Sequence, residues 1–174
     1  KNKKLAKKGR VIRWFGIDRP KKQGGTWEND IIDVGYKYQM TDISAALLLD
    51  SMREFKEIKK KRNKIHDLYV QKLNNQKNIE ILKKKDKKVK PVIWLTTVIT
   101  KYKDYLQKNL RKKLIETNQV HFRNDKYSIF KKFVKGKKYP NMDYVENKYL
   151  AIPVHHKVSF NKAKYIADLI NKIV

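Results

Sequence analysis

The stretch DVGYKYQMTDISAALLLDSMREF, Asp33 to Phe55, sets two tyrosines around a lysine directly before a helix start and an alanine pair. Thr41 or Asp42 offers the N-cap, because a side-chain oxygen there accepts an amide proton that the first helical turn leaves unpaired. Beyond it Ile43, Ala46, Leu47, Met52, Phe55, Ile58, Ile65, Leu68, Tyr69 and Leu73 keep near-helical spacing. The period holds over about thirty residues and predicts one long helix.

On the N-terminal side, Lys3 to Phe15 (KKLAKKGRVIRWF) spaces Leu5, Ala6, Val11, Ile12 and Phe15 as a short basic helix. Gly16, Pro20, Gly24 and Gly25 then supply turn chemistry for a long loop. On the C-terminal side, Asn78–Leu82 and Pro91–Thr100 are rich in β-branched and aromatic residues, with a lysine run between them, and predict a strand pair. Asp104 to Asn118 returns to helical spacing and is expected to end near Asn118, a residue that tolerates a left-handed cap. Gln119–Phe122 and Tyr149–Val154 predict strands around an irregular segment, and Asn161–Val174 a last amphipathic helix. This order predicts an α+β layer with helices on one face of a short sheet.

The length, 174 residues, suits one ordinary domain with a core. The formal charge of +27 comes from 44 Lys and Arg against 17 Asp and Glu, which raises nucleic acid as a partner. Only seven of those cations are arginine, the residue suited to bidentate contacts with phosphate and guanine. A compositional bias toward lysine, asparagine and isoleucine accounts for the charge without an anionic partner, so specific nucleic-acid binding is not expected. Without cysteine there is neither a disulfide nor a thiolate metal site. His66, His121, His155 and His156 are the only soft ligands, and no metal site is expected. No apolar run approaches the ~20 residues of a membrane span, and a cytoplasmic protein is expected. Phosphate-cradling glycine motifs and the serine-nucleophile elbow are absent. Aromatics interleaved with cations, as in GYKYQ and HFRNDKYSIFKKF, keep a basic nucleic-acid-binding domain as the alternative reading.

Four pieces, RVIRWFGIDRP, DVGYKYQMTDISAAL, QVHFRNDKYSIF and AIPVHHKVS, stand in an order and spacing that covers nearly the whole chain. Together they resemble the C-terminal part of the DegT/DnrJ/StrS family, pyridoxal-phosphate (PLP) aminotransferases acting on nucleotide-linked keto sugars. The resemblance implies the small C-terminal domain of an aspartate-aminotransferase-like fold. Residues 1–40 would be a linker helix and active-site loop continuing from a PLP-binding domain, and residues 41–174 the small domain. It further implies amino transfer from a donor, commonly glutamate, to a nucleotide-sugar substrate, in a homodimer with shared active sites.

In this resemblance the VGYKYQMTD loop reaches toward the partner subunit's cofactor phosphate, which makes Lys37 the cofactor-binding cation, with Tyr36 beside it. His121, Arg123 and Asn124 match a segment near the sugar nucleotide, with Arg123 a diphosphate partner; Tyr38 would line the pocket. An ion pair between Arg123 and Asp125 is the structural alternative. No catalytic residue is expected in this chain, because the Schiff-base lysine and the aspartate facing the pyridine nitrogen belong upstream of Lys1, and a truncated, non-catalytic remnant is a further alternative. The sequence departs from the family pattern in three places. Lys37 and Gln39 stand where many relatives have asparagine and arginine, Leu48 replaces the common glycine after the alanine pair, and Ser51–Met52 replaces the usual QL.

Overall fold

The computed structural model describes residues 2–19, 30–83, 88–89 and 91–174. The chain forms two compact units, Lys1–Arg53 and Glu54–Val174, whose boundary falls inside the long helix. Length alone suggested one domain; the difference arises because large buried side chains concentrate in the second unit. In the first, Val11 is the sole buried apolar side chain among the described residues.

The first unit opens with α1 (Lys3–Ile12), capped by Asn2, whose Oδ1 accepts from the Leu5 amide at 3.1 Å. The helix stops before Phe15, because Phe15 and Gly16 adopt positive φ (52° and 77°) and turn the chain. The long helix predicted from Thr41 onward is α2 (Asp42–Leu73). Thr41 is its cap, accepting from the Ser44 amide at 3.2 Å. The Pro20–Gly25 turn segment lies outside the described residues, as does most of the lysine run before Pro91.

In the second unit β1 (Glu80–Ile81), β2 (Thr96–Ile99) and β3 (Tyr149–Ile152) form an antiparallel sheet in that order. Register places Ile81 opposite Val98 and Val98 opposite Leu150, so these side chains share one face. That face packs on Ile65, Leu68, Tyr69 and Leu73 of α2, on Leu106 and Leu110 of α3 (Lys103–Lys112), and on Ile166 and Ile170 of α6 (Phe160–Ile173). Burying each such side chain stabilises the fold by roughly 1.5–3 kcal/mol. Lys72 and Asp168 pair at 2.6 Å and the Asn78 side chain donates from Nδ2 to the Val174 carbonyl at 2.7 Å, tying α2 and its exit to α6. The predicted α+β layer with helices on one sheet face is therefore present.

Two sequence expectations fail. Helix α3 stops at Lys112 rather than near Asn118, and the left-handed residue is Leu114 (φ 57°). The Ile115 amide donates to the Leu110 carbonyl and the Leu114 amide to the Arg111 carbonyl, a Schellman closure that returns Ile115 to the core and leaves Leu114 94% exposed. Gln119–Phe122 is not a strand. Asn118 makes one bridge to Ala151, after which the chain leaves the sheet edge for two 3₁₀ turns and the short helices α4 (Lys131–Val134) and α5 (Pro140–Val145).

Candidate functional site

In the first unit the chain after α1 and the segment before α2 lie antiparallel. The Tyr36 amide donates to the Ile12 carbonyl (2.7 Å), the Phe15 amide to the Tyr36 carbonyl (3.1 Å) and the Tyr38 amide to the Arg13 carbonyl (2.8 Å). Trp14 and Lys37 face each other across this bridge. Alternation sends Tyr36 and Tyr38 to one side, where their rings stack at 5.1 Å and 18°. Lys37 is exposed, and among the described residues nothing pairs with its ammonium. A backbone-fixed segment thus presents one cation without a partner among the described residues on one side and a stacked tyrosine pair on the other.

In the second unit the sheet face opposite the core floors an open cavity of about 950 Å³. Leu82, Thr97, Ile99 and Tyr149 lie beneath it; His121, Arg123, Asn124, Tyr127, Phe130 and Tyr139 form its walls. The sequence-predicted residues His121, Arg123 and Asn124 are therefore brought together. Tyr36, Lys37 and Tyr38 belong to the other unit.

Two devices hold this wall. The Tyr149 hydroxyl donates to the His121 carbonyl and accepts from the His121 amide, while Trp94 meets the His121 ring edge-on at 5.7 Å. Arg123, 6% exposed, forks onto Asp125 through Nε (2.9 Å) and Nη2 (2.6 Å), and its Nη1 donates to Asp143 (2.6 Å) and Glu146 (3.1 Å). Lys126 also donates to Glu146, and the Gln119 side chain donates from Nε2 to the Glu146 backbone carbonyl at 2.8 Å. The hydrogen bonds from Arg123 hold the Asp125 carboxyl below its usual range, and those from Lys126 and then Arg123 do the same for Glu146. The Arg123 guanidinium is committed to protein carboxylates, which is the structural alternative open in the sequence, and His121 and Asn124 stand exposed on the cavity wall. Sequence reading missed Asp143 and Glu146, which lie 20 and 23 positions from Arg123 in the chain and carry no local signal.

The core also holds a polar pair that the sequence does not announce. His66 Nδ1 lies 3.1 Å from the Thr96 hydroxyl, and burial pulls the imidazole pKa below its usual value. Among the described residues no cluster of three or more potential metal ligands occurs, and no helix is long and apolar enough to cross a membrane.

Solved sugar aminotransferases share this fold of a long helix leading into a small antiparallel sheet. CalS13 of Micromonospora echinospora shares it at a TM-score of 0.89 and 20% identity, over 98% of this chain and 45% of that one. Spr1654 of Streptococcus pneumoniae, provisionally named a sugar aminotransferase and solved in its PLP-form, shares it at 0.81 and 22% identity, over 98% and 43%. In sequence, the UDP-4-amino-4,6-dideoxy-N-acetyl-beta-L-altrosamine transaminase of Campylobacter jejuni is 26% identical over 178 residues, 99% of this chain and 46% of the relative. Residues 1–171 match the DegT/DnrJ/EryC1/StrS aminotransferase family, and the chain belongs to it. It spans about half the length of the curated relatives it matches.

Proposed function

We propose that this chain is the C-terminal part of a PLP-dependent aminotransferase that moves an amino group, from glutamate as donor, onto a nucleotide-linked keto sugar in amino-sugar biosynthesis. The observation that carries this reading is family membership along residues 1–171 in a chain spanning about half of its relatives. The nucleic-acid alternative has no comparable support.

The residues present suit PLP at one point, its phosphate. Lys37 offers a cation without a partner among the described residues on a segment held by three backbone hydrogen bonds, and a phosphate matches it in charge. When bound, PLP supplies the electron sink for amino transfer. Residues 1–40 act as linker helix and active-site loop: Lys37 holds the phosphate, and Tyr36 and Tyr38, stacked on the other side of the segment, shape the loop. Residues 41–174 form the small domain, in which His121 and Asn124 bind the nucleotide sugar and Arg123 acts as a positioning residue that keeps their segment in place. The Schiff-base lysine belongs to a cofactor-binding half not included in these 174 residues.

A homodimer with shared sites follows the same reading. Ile31, Ile32, Val34, Met40, Ile43, Leu47, Leu49 and Met52 of the first unit are all more than half exposed, an apolar surface of the kind that marks an interface. The test is reconstitution. Supplied with a family PLP-binding half, this chain gives transfer of amino groups from glutamate to UDP- or GDP-linked keto sugars. A stable complex that binds PLP and transfers nothing to either sugar class refutes the proposal.

A further inference from the structure

With 37 lysines and seven arginines, the chain draws most of its positive charge from lysine. A guanidinium offers a planar fork of donors that an ammonium does not. Arg123 spans three carboxylates, Arg62 donates from Nη1 to the Ile93 carbonyl at 3.2 Å, and Arg53 pairs with Asp50. Of the other four, Arg111 sits in the last turn of α3, and Arg10, Arg13 and Arg19 line a single pocket of about 530 Å³ in the first unit.

Lys7 is the fourth cation there and Asp18 the one acid. Asp18 is buried and its carboxylate lies 3.6 Å from Lys7 Nζ, so these two charges offset each other. Arg19 is oriented from two sides, with its guanidinium 5.2 Å from the Trp14 ring centroid and Nη1 3.4 Å from Gln39 Oε1. Arg10 and Arg13 donate to no described residue. A cation near the C-terminus of α1 complements the helix dipole, but lysine would do that equally well. Three guanidinium groups line one concavity, and among the described residues no carboxylate pairs with any of them.

We propose that this pocket binds a small oxyanion, a phosphate or a carboxylate. The forks of Arg10 and Arg13 grip its oxygens bidentately, and Arg19, fixed against Trp14 and Gln39, makes the third contact. Two coplanar oxygens match the fork, which an ammonium cannot reproduce. The concave shape favours a compact anion over a polyanion, and the Lys7–Asp18 pair keeps the one carboxylate in the pocket from competing. The site shares no residue with Lys37 or with the His121 cavity.

The chain is titrated with inorganic phosphate and, separately, with glutarate, at constant ionic strength held by chloride, while the arginine Nε–H, Trp14 indole and backbone amide signals are followed by NMR. Saturable shifts confined to Arg10, Arg13, Arg19 and Trp14 are expected. Arg13→Lys, which keeps the charge and the helix, weakens binding at least about tenfold, as loss of a bidentate contact requires; Lys112→Ala, on an exposed face, leaves it unchanged. Saturation by phosphate alone assigns a phosphoryl ligand, and by glutarate alone a carboxylate. Shifts that spread without saturation over the lysine faces of both units, or equal binding by a folded Arg13→Lys chain, overturn the proposal.

Discussion

A Cβ built on Gly35 would lie 1.9 Å from the Gly16 nitrogen and 2.5 Å from the Phe15 carbonyl carbon. Gly16 in turn would drive a Cβ to 1.7 Å from the Asp33 carbonyl oxygen, and its φ of 77° suits glycine alone. The segment that presents Lys37 is thus seated on the chain after α1 by backbone contact, without side chains between them.

Gly35→Ala therefore cannot be absorbed by a rotamer change, because the obstructing atoms are backbone. The segment must shift, with loss of the hydrogen bonds from Tyr36 and Tyr38. Hydrogen exchange of these two amides is expected to accelerate about tenfold or more, equivalent to ~1.4 kcal/mol of local stability. Unchanged protection would show that the seat is not required.

Tyr69, fully buried, donates from its hydroxyl to the Pro153 carbonyl at 2.9 Å, and burial pushes its pKa well above the usual phenol value. Tyr69→Phe keeps the ring packing and orphans that carbonyl. Urea unfolding should show a loss of about 1–3 kcal/mol.

His66 links stability to pH. Its folded pKa lies below the ordinary 6.5, with burial the leading cause, so below pH 6.5 the unfolded chain binds the proton more readily. Its contribution is complete above pH 6.5 and is lost as pH falls through the folded pKa. Unfolding free energy measured from pH 7.5 to 5 should decline by up to about 1.4 kcal/mol per pH unit, and His66→Gln should flatten that slope.

Arg123 is expected to act through its three carboxylates. Arg123→Met frees the Gln119–Lys126 segment, seen as faster amide exchange there, and Arg123→Lys restores only part of the protection because one ammonium cannot fork across Asp125, Asp143 and Glu146. The depressed Asp125 and Glu146 carboxyls make the clamp complete above about pH 4.5 and progressively weaker below it, since protonation favours the unfolded chain. Equal exchange in all three proteins would contradict the positioning role.

Periodic elements were legible because burial imposes their period. The second half of α2, with Ile65, Leu68, Tyr69 and Leu73 buried, and α6, with Ala163, Ile166, Ala167 and Ile170 buried, follow the helical period, and β2 alternates between buried and partly buried positions. The end of α3 was not, since Leu114 takes the left-handed position in place of Asn118 so that Ile115 can reach the core. Nor was the loss of the Gln119–Phe122 strand. Its four residues alternate suitably, but the edge of β3 is met by Asn118 alone, and the departing chain is held instead by the distant Tyr149, Asp143 and Glu146. That His121, Arg123 and Asn124 share one cavity wall followed from their closeness in the chain, whereas the carboxylates that pair with Arg123 from Asp143 and Glu146 depend on tertiary contacts.

The central claim, that this chain gives a PLP enzyme its phosphate cation, is tested most directly by PLP affinity in the enzyme reconstituted with a cofactor-binding half. Lys37→Ala is compared there with Lys108→Ala, an exposed lysine of α3. A charge-assisted bond to phosphate is worth ~1.5–3 kcal/mol, so Lys37→Ala should weaken PLP binding by about tenfold to a hundredfold while Lys108→Ala leaves it unchanged. Equal PLP affinity in the two variants would contradict the account and return Lys37 to the solvated lysines.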